Sequence, residues 1–149
     1  MSSKINIFFF LNPVMKTILK SPLHSMISDK IMIISFVGVK SGKTYSTPVS
    51  YYQEDGLVFC FTHAAWWKNL VGGAKVNLVI RRKKFTGIAT PITGDRDEKI
   101  VGLGKLLTAV PNDAVFYKVR VDDEGNLNQE DLAQAVDNAT MIEVRLDNE

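Results

Sequence analysis

The residue types best suited to chemistry in this chain are concentrated between Gly38 and Val49, in the segment Gly-Val-Lys-Ser-Gly-Lys-Thr-Tyr-Ser-Thr-Pro-Val. A tight Ser-Gly turn flanked by Lys40 and Lys43 offers backbone N–H groups, a hydroxyl and two positive charges within a few residues. The segment therefore predicts an anion-binding loop that suits a phosphate group. The alternative is a solvated hairpin tip whose lysines only improve solubility.

This segment differs from the phosphate-binding loop of nucleoside triphosphatases. That motif has four residues between its two glycines and opens a helix. Here Gly38 and Gly42 enclose three residues, and residues 45–53 have the composition of a strand. We therefore exclude a nucleoside triphosphatase.

A second cluster follows at residues 62–69, which read Thr-His-Ala-Ala-Trp-Trp-Lys-Asn. Small residues such as Ala64 let a flat ring approach the backbone, while Trp66 and Asn69 can pack against it and orient it. The alternative interpretation places one tryptophan in the core and the other on the surface, with a structural or solvated His63. Taken with the anion-binding loop, the cluster predicts a site for the two ends of a ring-bearing phosphate cofactor.

The elements that position these clusters are predicted to form an α+β, mostly β barrel. Strands are predicted over residues 31–39, 45–53, 57–62, 76–82, 86–92, 115–121 and 141–146, and helices over 13–20, 22–28, 66–70, 96–109 and 129–136. Asp95 with Glu98, and later Asn128, are the caps of the last two helices. Short strands without regular β-α alternation favour a barrel over a doubly wound sheet. Pro48 lacks a backbone donor, so we expect it at an edge, a bulge or a functional break.

The composition predicts one globular domain over residues 1–149, with residues 1–30 as an N-terminal helical segment. The chain is 46% hydrophobic, and its net charge of +2 gives no argument for nucleic-acid binding. Cys60 is the one cysteine, which excludes an intrachain disulfide and fits a reducing cytoplasm. We expect it to be a small buried hydrophobic residue. One cysteine and two distant histidines provide no zinc-ligand spacing, so we predict no metal.

The apolar run over residues 5–11 is too short to cross a bilayer, which takes about 20 apolar residues. It ends at Asn12-Pro13 without a small-residue cleavage site, so it is not interpreted as a signal peptide. A peripheral membrane contact through Phe8, Phe9 and Phe10 stays an alternative.

Several motifs occur in an order that resembles the deazaflavin-dependent nitroreductase family, which has the split-barrel flavin-binding fold. They are Asn12-Pro13, Gly38–Lys43, Thr47–Val49, Trp66–Leu70 and the strand predicted after Gly73, and the resemblance covers most of residues 12–94. It implies a split β-barrel with N-terminal helices, the cofactor F420 with FMN as the alternative, and a homodimer. The implied activity is hydride transfer to a small acceptor such as a nitro compound or a quinone.

The resemblance also implies which residues bind the cofactor. Phosphate would be held by Lys40, Ser41, Gly42 and Lys43. The ring would be approached by Thr47, Pro48, Val49, Thr62, His63, Ala64 and Ala65, and the site would be closed by Trp66 and Asn69.

One position departs from the family pattern, because many members have an arginine where this chain has Tyr45. Residues 81–84, Arg-Arg-Lys-Lys, could compensate only if the fold brings them close to the site. On the sequence alone, a solvated edge strand is the better interpretation for them.

Three functional hypotheses follow. The first is an F420- or FMN-dependent oxidoreductase, and the second is a cofactor-binding carrier without turnover. The third is a membrane-surface module that uses the N-terminal phenylalanines. In the first, the ring performs the chemistry and the protein binds and orients it, so no nucleophile is expected. His63 and Tyr51 are candidates for donating a proton to the reduced product.

Overall fold

The computed structural model describes residues 30–147. Its strands are β1 (Ile31–Val37), β2 (Thr44–Glu54), β3 (Leu57–Thr62), β4 (Ala74–Ile80), β5 (Lys83–Ile92) and β6 (Thr140–Leu146). Its α-helices are α1 (Arg96–Ala109) and α2 (Gln129–Ala135), and two 3-10 helices span Ala65–Leu70 and Pro111–Tyr117. The N-terminal helices predicted over residues 13–20 and 22–28 lie outside the described residues.

The six strands form a closed antiparallel barrel in the order β1-β2-β3-β6-β5-β4. Alternate residues of each strand point inward, as the two-residue period of a strand requires, and build the barrel core. Met32, Ile34, Leu78 and Ile142 in this core are completely shielded from solvent. The prediction of a mostly β barrel is therefore confirmed.

The helices pack on one outer side of the barrel and form a second apolar cluster. Phe61 and Met141 on the outer face of β3 and β6 meet Leu103 and Leu106 of α1. Leu132 of α2 joins the same cluster. Burying both faces of these strands against apolar side chains stabilises the strand pairing that the site depends on.

Helix α1 begins where the sequence predicts, because Asp95 caps it. The Asp95 carboxylate accepts a hydrogen bond of 3.0 Å from the backbone N–H of Glu98. Asn128 caps α2 in the same way, accepting from the N–H of Asp131 at 2.9 Å. Both bonds satisfy a donor that the first helical turn leaves unpaired.

Replacing the α1 cap should measurably destabilise the fold. We expect Asp95→Ala to lower the free energy of unfolding by about 1 kcal/mol, because the N–H of Glu98 loses its acceptor. Denaturant unfolding followed by circular dichroism measures this loss. Asp123→Ala, in an exposed turn, is the control, and an equal loss in both variants would contradict the capping role.

The strand predicted over residues 115–121 is wrong, so the barrel has six strands and not seven. Residues 111–117 form a 3-10 helix that ends at Lys118, whose φ of 57° is left-handed. This path buries Ala114 and Val119 in the outer cluster. Val121 makes only a single bridge to Leu127. Packing of small apolar residues here outweighs the strand propensity of the local sequence.

The β4–β5 connection also differs from the prediction. The strand predicted to reach Arg82 ends at Ile80, and Arg81 and Arg82 form a two-residue turn with φ of 51° and 68°. Lys83 and Lys84 belong to β5, which pairs with β4 on one side and β6 on the other. They therefore do not lie on an edge strand.

Pro48 occupies an open edge, one of the three places expected for it. Only residues 51–54 of β2 pair with β3, whereas residues 44–50 pair with β1 alone. The N–H of Tyr51 donates to the Lys30 carbonyl on the β1 side. By alternation, the backbone groups of Ser46, Pro48 and Ser50 turn to the unpaired side, where the missing N–H of Pro48 breaks no ladder bond.

Cys60 points into the barrel core and is inaccessible to solvent, as expected. Burial raises the pKa of its thiol to about 12, so the thiolate that would react with alkylating agents is scarce at neutral pH. None of the helices within residues 30–147 combines the length and hydropathy needed to cross a membrane.

Candidate functional site

A cavity of about 550 Å³ opens at the end of the barrel where β1 turns into β2. We call this end the loop pole and the opposite end, with the β2–β3 and β4–β5 turns, the hairpin pole. The cavity is lined by Phe36, Gly38, Val39, Lys40, Ser41, Tyr45, Ser46, Thr47, Trp66, Lys68 and Asn69. It therefore joins the two clusters that the sequence analysis singled out.

The β1–β2 loop is closed by its own hydrogen bonds. The N–H of Gly38 donates to the Lys43 carbonyl at 2.7 Å, and the N–H of Gly42 donates to the Gly38 carbonyl at 2.9 Å. The Ser41 hydroxyl accepts from the N–H of Lys43 at 3.1 Å. The N–H groups of Lys40 and Ser41 have no acceptor among the described residues. These two donors remain available to an anion.

A glycine is required at position 38. A Cβ atom there would lie 2.8 Å from the Tyr45 ring and 2.9 Å from the Ser41 hydroxyl oxygen. The loop can therefore close tightly over the Tyr45 ring only without a side chain at this position. At Gly42 the φ of 71° sets the same preference through the backbone itself.

Asn69 connects the loop to the tryptophan segment. Its side-chain oxygen accepts from the N–H of Val39 at 2.9 Å. Its side-chain nitrogen donates to the Trp66 carbonyl at 3.0 Å. One amide thus fixes the cationic loop relative to the first 3-10 helix.

Stacked aromatic rings form one wall of the cavity. Trp66 lies over Phe36 with ring centroids 5.2 Å apart, and Phe36 lies beside Tyr45 at 5.9 Å. Phe36 is buried, Trp66 is half-buried and Tyr45 is exposed. The wall therefore extends from the barrel core to the surface and presents flat apolar area to a bound ring.

The cavity is electropositive. Lys40 and Lys68 line it, Lys43 lies in the same loop, and no aspartate or glutamate is among the lining residues. Within residues 30–147, these three lysines form no salt bridge. Unpaired cations around a partly enclosed space attract an anionic ligand, most strongly at low ionic strength.

The structure brings some of the predicted site residues together and leaves others outside the cavity. The predicted residues that line it are Lys40, Ser41, Thr47, Trp66 and Asn69. The predicted residues outside the lining are Gly42, Lys43, Pro48, Val49, Thr62, His63, Ala64 and Ala65. Several of these serve neighbouring structure: the Thr62 hydroxyl accepts from the N–H of Ala64 at 3.0 Å, and Val49 packs against the barrel core.

Six lining residues were not predicted: Phe36, Gly38, Val39, Tyr45, Ser46 and Lys68. All except Phe36 belong to the two segments quoted for their chemistry, so proximity in sequence was a usable signal for them. Phe36 is an apolar strand residue that no sequence pattern separates from its neighbours in β1.

The two candidate proton donors also lie outside the lining. Tyr51 points into the barrel core and is 5% exposed. His63 is exposed and lies against the ring of Tyr117, with ring centroids 4.9 Å apart. The phenolic hydroxyl in the lining is that of Tyr45, which lies 3.2 Å from the Ser41 hydroxyl. The described residues contain no cluster of metal-ligating side chains.

The basic run at residues 81–84 does not reach the site. Ile33 of β1 pairs with Val79 of β4, so the β4–β5 turn lies beyond the start of β1, at the hairpin pole. The cavity lies beyond the end of β1, at the loop pole. These cations therefore cannot compensate for the absence of an arginine at the position of Tyr45.

Removing the Asn69 amide should loosen the site. We expect Asn69→Ala to lower the free energy of unfolding by about 1–2 kcal/mol, since the hydrogen bonds to Val39 and Trp66 are both lost. Thermal and denaturant unfolding measure the loss. Asn112→Ala, an exposed amide in the second 3-10 helix, is the matched control. Equal stability of the two variants would show that Asn69 does not fix the loop.

No protein-family model and no curated protein sequence matches the chain with significance. Several solved structures, in contrast, are similar to the chain. The protein Atu2129, of unknown function, from Agrobacterium tumefaciens has a TM-score of 0.56 at 12% identity, covering 87% of this chain and 57% of that one. The chain thus spans little more than half the length of that protein.

Two further structures are similar over most of their length. An F420-H2 dependent reductase, FDR-A, has a TM-score of 0.53 at 18% identity, covering 77% of this chain and 93% of that one. A proposed pyridoxamine 5′-phosphate oxidase from Listeria innocua has a TM-score of 0.52 at 8% identity, covering 85% and 90%. The fold is that of the split-barrel proteins, as the sequence predicts.

Proposed function

We propose that this protein is an oxidoreductase that binds F420, or alternatively FMN, in the loop-pole cavity and passes hydride to a small acceptor such as a nitro compound or a quinone. The observation that carries this proposal is the bond from the Val39 N–H to Asn69, which places the cationic loop and the aromatic wall in one cavity. The motifs shared with the deazaflavin-dependent nitroreductase family and the fold of the reductase FDR-A support it.

The residues present fit such a cofactor. A volume of about 550 Å³ lies within the range of small-molecule sites. At one side, the free N–H groups of Lys40 and Ser41 and the Lys40 ammonium suit a phosphate group. At the other side, Trp66 and Phe36 offer a flat apolar surface to a ring. The unpaired edge of β2 adds backbone donors and acceptors for the polar rim of the ring.

The protein's part in the reaction would be to bind the cofactor and orient its ring. The deazaflavin or flavin ring supplies the hydride when bound. Lys40 and Ser41 would fix the phosphate end, which sets how far the ring enters the cavity. Trp66 would hold the plane of the ring and exclude water from one face. The Tyr45 hydroxyl, hydrogen-bonded to Ser41, would hold a proton at the cavity wall within reach of an acceptor.

A titration with turnover tests the proposal. Purified protein is titrated with F420 and with FMN while cofactor absorbance and tryptophan fluorescence are followed, since Trp66 lines the cavity. Reduced cofactor is then supplied with a nitroaromatic compound or a quinone. Binding with turnover supports the oxidoreductase. Binding of either cofactor without oxidation by any acceptor supports the alternative, a non-catalytic carrier. Absence of binding to both would overturn the proposal.

We also expect a homodimer. Apolar side chains are exposed at the loop pole, where Val39 is 73%, Val71 66% and Tyr45 45% accessible. A second copy packing on the loop pole would remove this area from water. Sedimentation equilibrium at micromolar concentration should give twice the chain mass, and Val71→Lys should shift the protein towards monomer. A monomeric parent would contradict this expectation.

We further propose a cytoplasmic location, because the single cysteine fits a reducing compartment.

A further inference from the structure

The hairpin pole carries a compact group of cations that the proposed function does not use. Arg81, Arg82, Lys83 and Lys84 follow one another through the β4–β5 turn and are all exposed. The pairing of Ile33 with Val79, continued by two residues, brings the start of β1 beside this turn, and exposed Lys30 precedes β1 directly. We call these five residues the basic pole.

The backbone conformation of the β4–β5 turn indicates that its arginines do not stabilise the turn. The two residues between Ile80 and Lys83 both have positive φ, 51° at Arg81 and 68° at Arg82. Two-residue hairpin turns of this geometry favour Asn-Gly, because other side chains crowd the backbone in the left-handed region. Arginine at both positions therefore works against the turn, which points to a role for the charges themselves.

Nearby carboxylates leave most of this charge uncompensated. Asp55 and Asp147 also lie at the hairpin pole, and Asp147 accepts a hydrogen bond from the Thr86 hydroxyl at 2.6 Å. Glu54 is paired with Lys105 at 3.0 Å. Within the described part of the chain, Arg81, Arg82 and Lys83 have no carboxylate partner.

We propose that the basic pole docks the protein on an anionic lipid surface. Each lysine or arginine close to such a surface raises the affinity about fivefold. Five cations at one end of the barrel, three of them without a carboxylate partner within residues 30–147, are complementary in charge to such a surface.

A lipid surface fits the basic pole better than a nucleic acid does. Binding of single strands relies on exposed aromatic side chains on which bases stack. The exposed aromatic residues in the described chain, Tyr45 and Phe116, lie at the loop pole and in the second 3-10 helix, away from the basic pole. The cations of the basic pole are also confined to one turn and a neighbouring strand end. Binding of a duplex needs cations spread over an extended surface, where they can contact several phosphates.

Docking through the hairpin pole leaves the cavity free. The cavity opens at the loop pole, at the other end of the barrel. A docked protomer would therefore hold its cavity, and any second copy packed on the loop pole, away from the lipid, so vesicle binding should not change the access of ligands to the cavity. The proposal is independent of the cofactor assignment, since it needs only the charges and their position.

Vesicle sedimentation of the full chain tests the proposal. The parent should bind vesicles of phosphatidylcholine mixed with phosphatidylserine at low ionic strength, and bind phosphatidylcholine vesicles far less. Arg81→Gln with Arg82→Gln should lower the partition coefficient for the mixed vesicles about 25-fold. The matched control, Lys75→Gln with Lys99→Gln, removes two charges away from the pole and should remain close to the parent.

A second variant separates loss of binding from loss of fold. Arg81→Asn with Arg82→Gly supplies the residues that the turn geometry favours, so its Tm should rise while its vesicle binding falls by the same factor. Equal binding of the parent to both vesicle types would overturn the proposal, as would a Gln variant that binds like the parent. Binding of a DNA duplex as tightly as the mixed vesicles, lost in the same variant, would assign the pole to nucleic acid instead.

Discussion

Lys40→Glu should weaken binding of F420 or FMN at least about tenfold at low ionic strength, because a charge-assisted hydrogen bond to phosphate is replaced by repulsion. Lys40 lines the cavity and its backbone N–H is free, whereas Lys43 lies in the same loop outside the lining. We therefore expect Lys43→Glu to act in the same direction with a smaller effect. Titration by cofactor absorbance measures both.

The salt dependence of this loss separates electrostatic from structural causes. The difference between the parent and Lys40→Glu should shrink as ionic strength rises, since the Debye length falls from about 30 Å at 0.01 M salt to about 3 Å at 1 M. Lys83→Glu, the same charge change at the hairpin pole, is the control and should bind like the parent. If both loop variants bind the cofactor as tightly as the parent does, the β1–β2 loop does not bind the phosphate.

Gly87→Ala should lower the free energy of unfolding by about 3 kcal/mol or more. A Cβ atom at this position would collide with the Arg145 carbonyl oxygen and come within 3.1 Å of the Val144 side chain. Because the obstacle is backbone of the paired strand β6, relief requires moving β5 away from β6. Denaturant unfolding measures the loss.

Gly94→Ala is the control for this substitution. No atom lies within 4 Å of the position where its Cβ would be, and its φ is not in the left-handed region. The free energy of unfolding should be unchanged or rise by up to about 1 kcal/mol, since alanine restricts the unfolded chain. If Gly87→Ala and Gly94→Ala unfold alike, β5 and β6 do not approach as closely as described.

Where interactions between neighbours in the chain determine the structure, the sequence alone was sufficient to predict it. Helix α1 spans Arg96–Ala109, the range predicted from the Asp95 cap, because the cap satisfies a backbone donor within one turn. The β2–β3 turn consists of Asp55-Gly56, a pair that is typical of two-residue hairpin turns, and both residues have the positive φ that such a turn requires. These decisions involve neighbours in the chain and need no information about distant residues.

Where contacts between distant residues determine the structure, the sequence was insufficient to predict it. Residues 115–121 have the composition of a strand, yet residues 115–117 complete a 3-10 helix that ends at Lys118. Burial of Ala114 and Val119 in the cluster with α1 outweighs the local strand propensity. The positions of the basic residues were likewise open, and only the pairing of β1 with β4 placed them at the pole away from the cavity.

The same distinction holds for the candidate site. The chemistry of Lys40, Ser41, Trp66 and Asn69 identified them from the sequence, because charge, hydrogen-bonding capacity and aromatic area are properties of single side chains. Which residues share a cavity is a property of the closed barrel: Phe36 joins the wall, while His63 turns towards Tyr117. Strand register and barrel closure are set by the packing of the whole core, which no short segment encodes by itself.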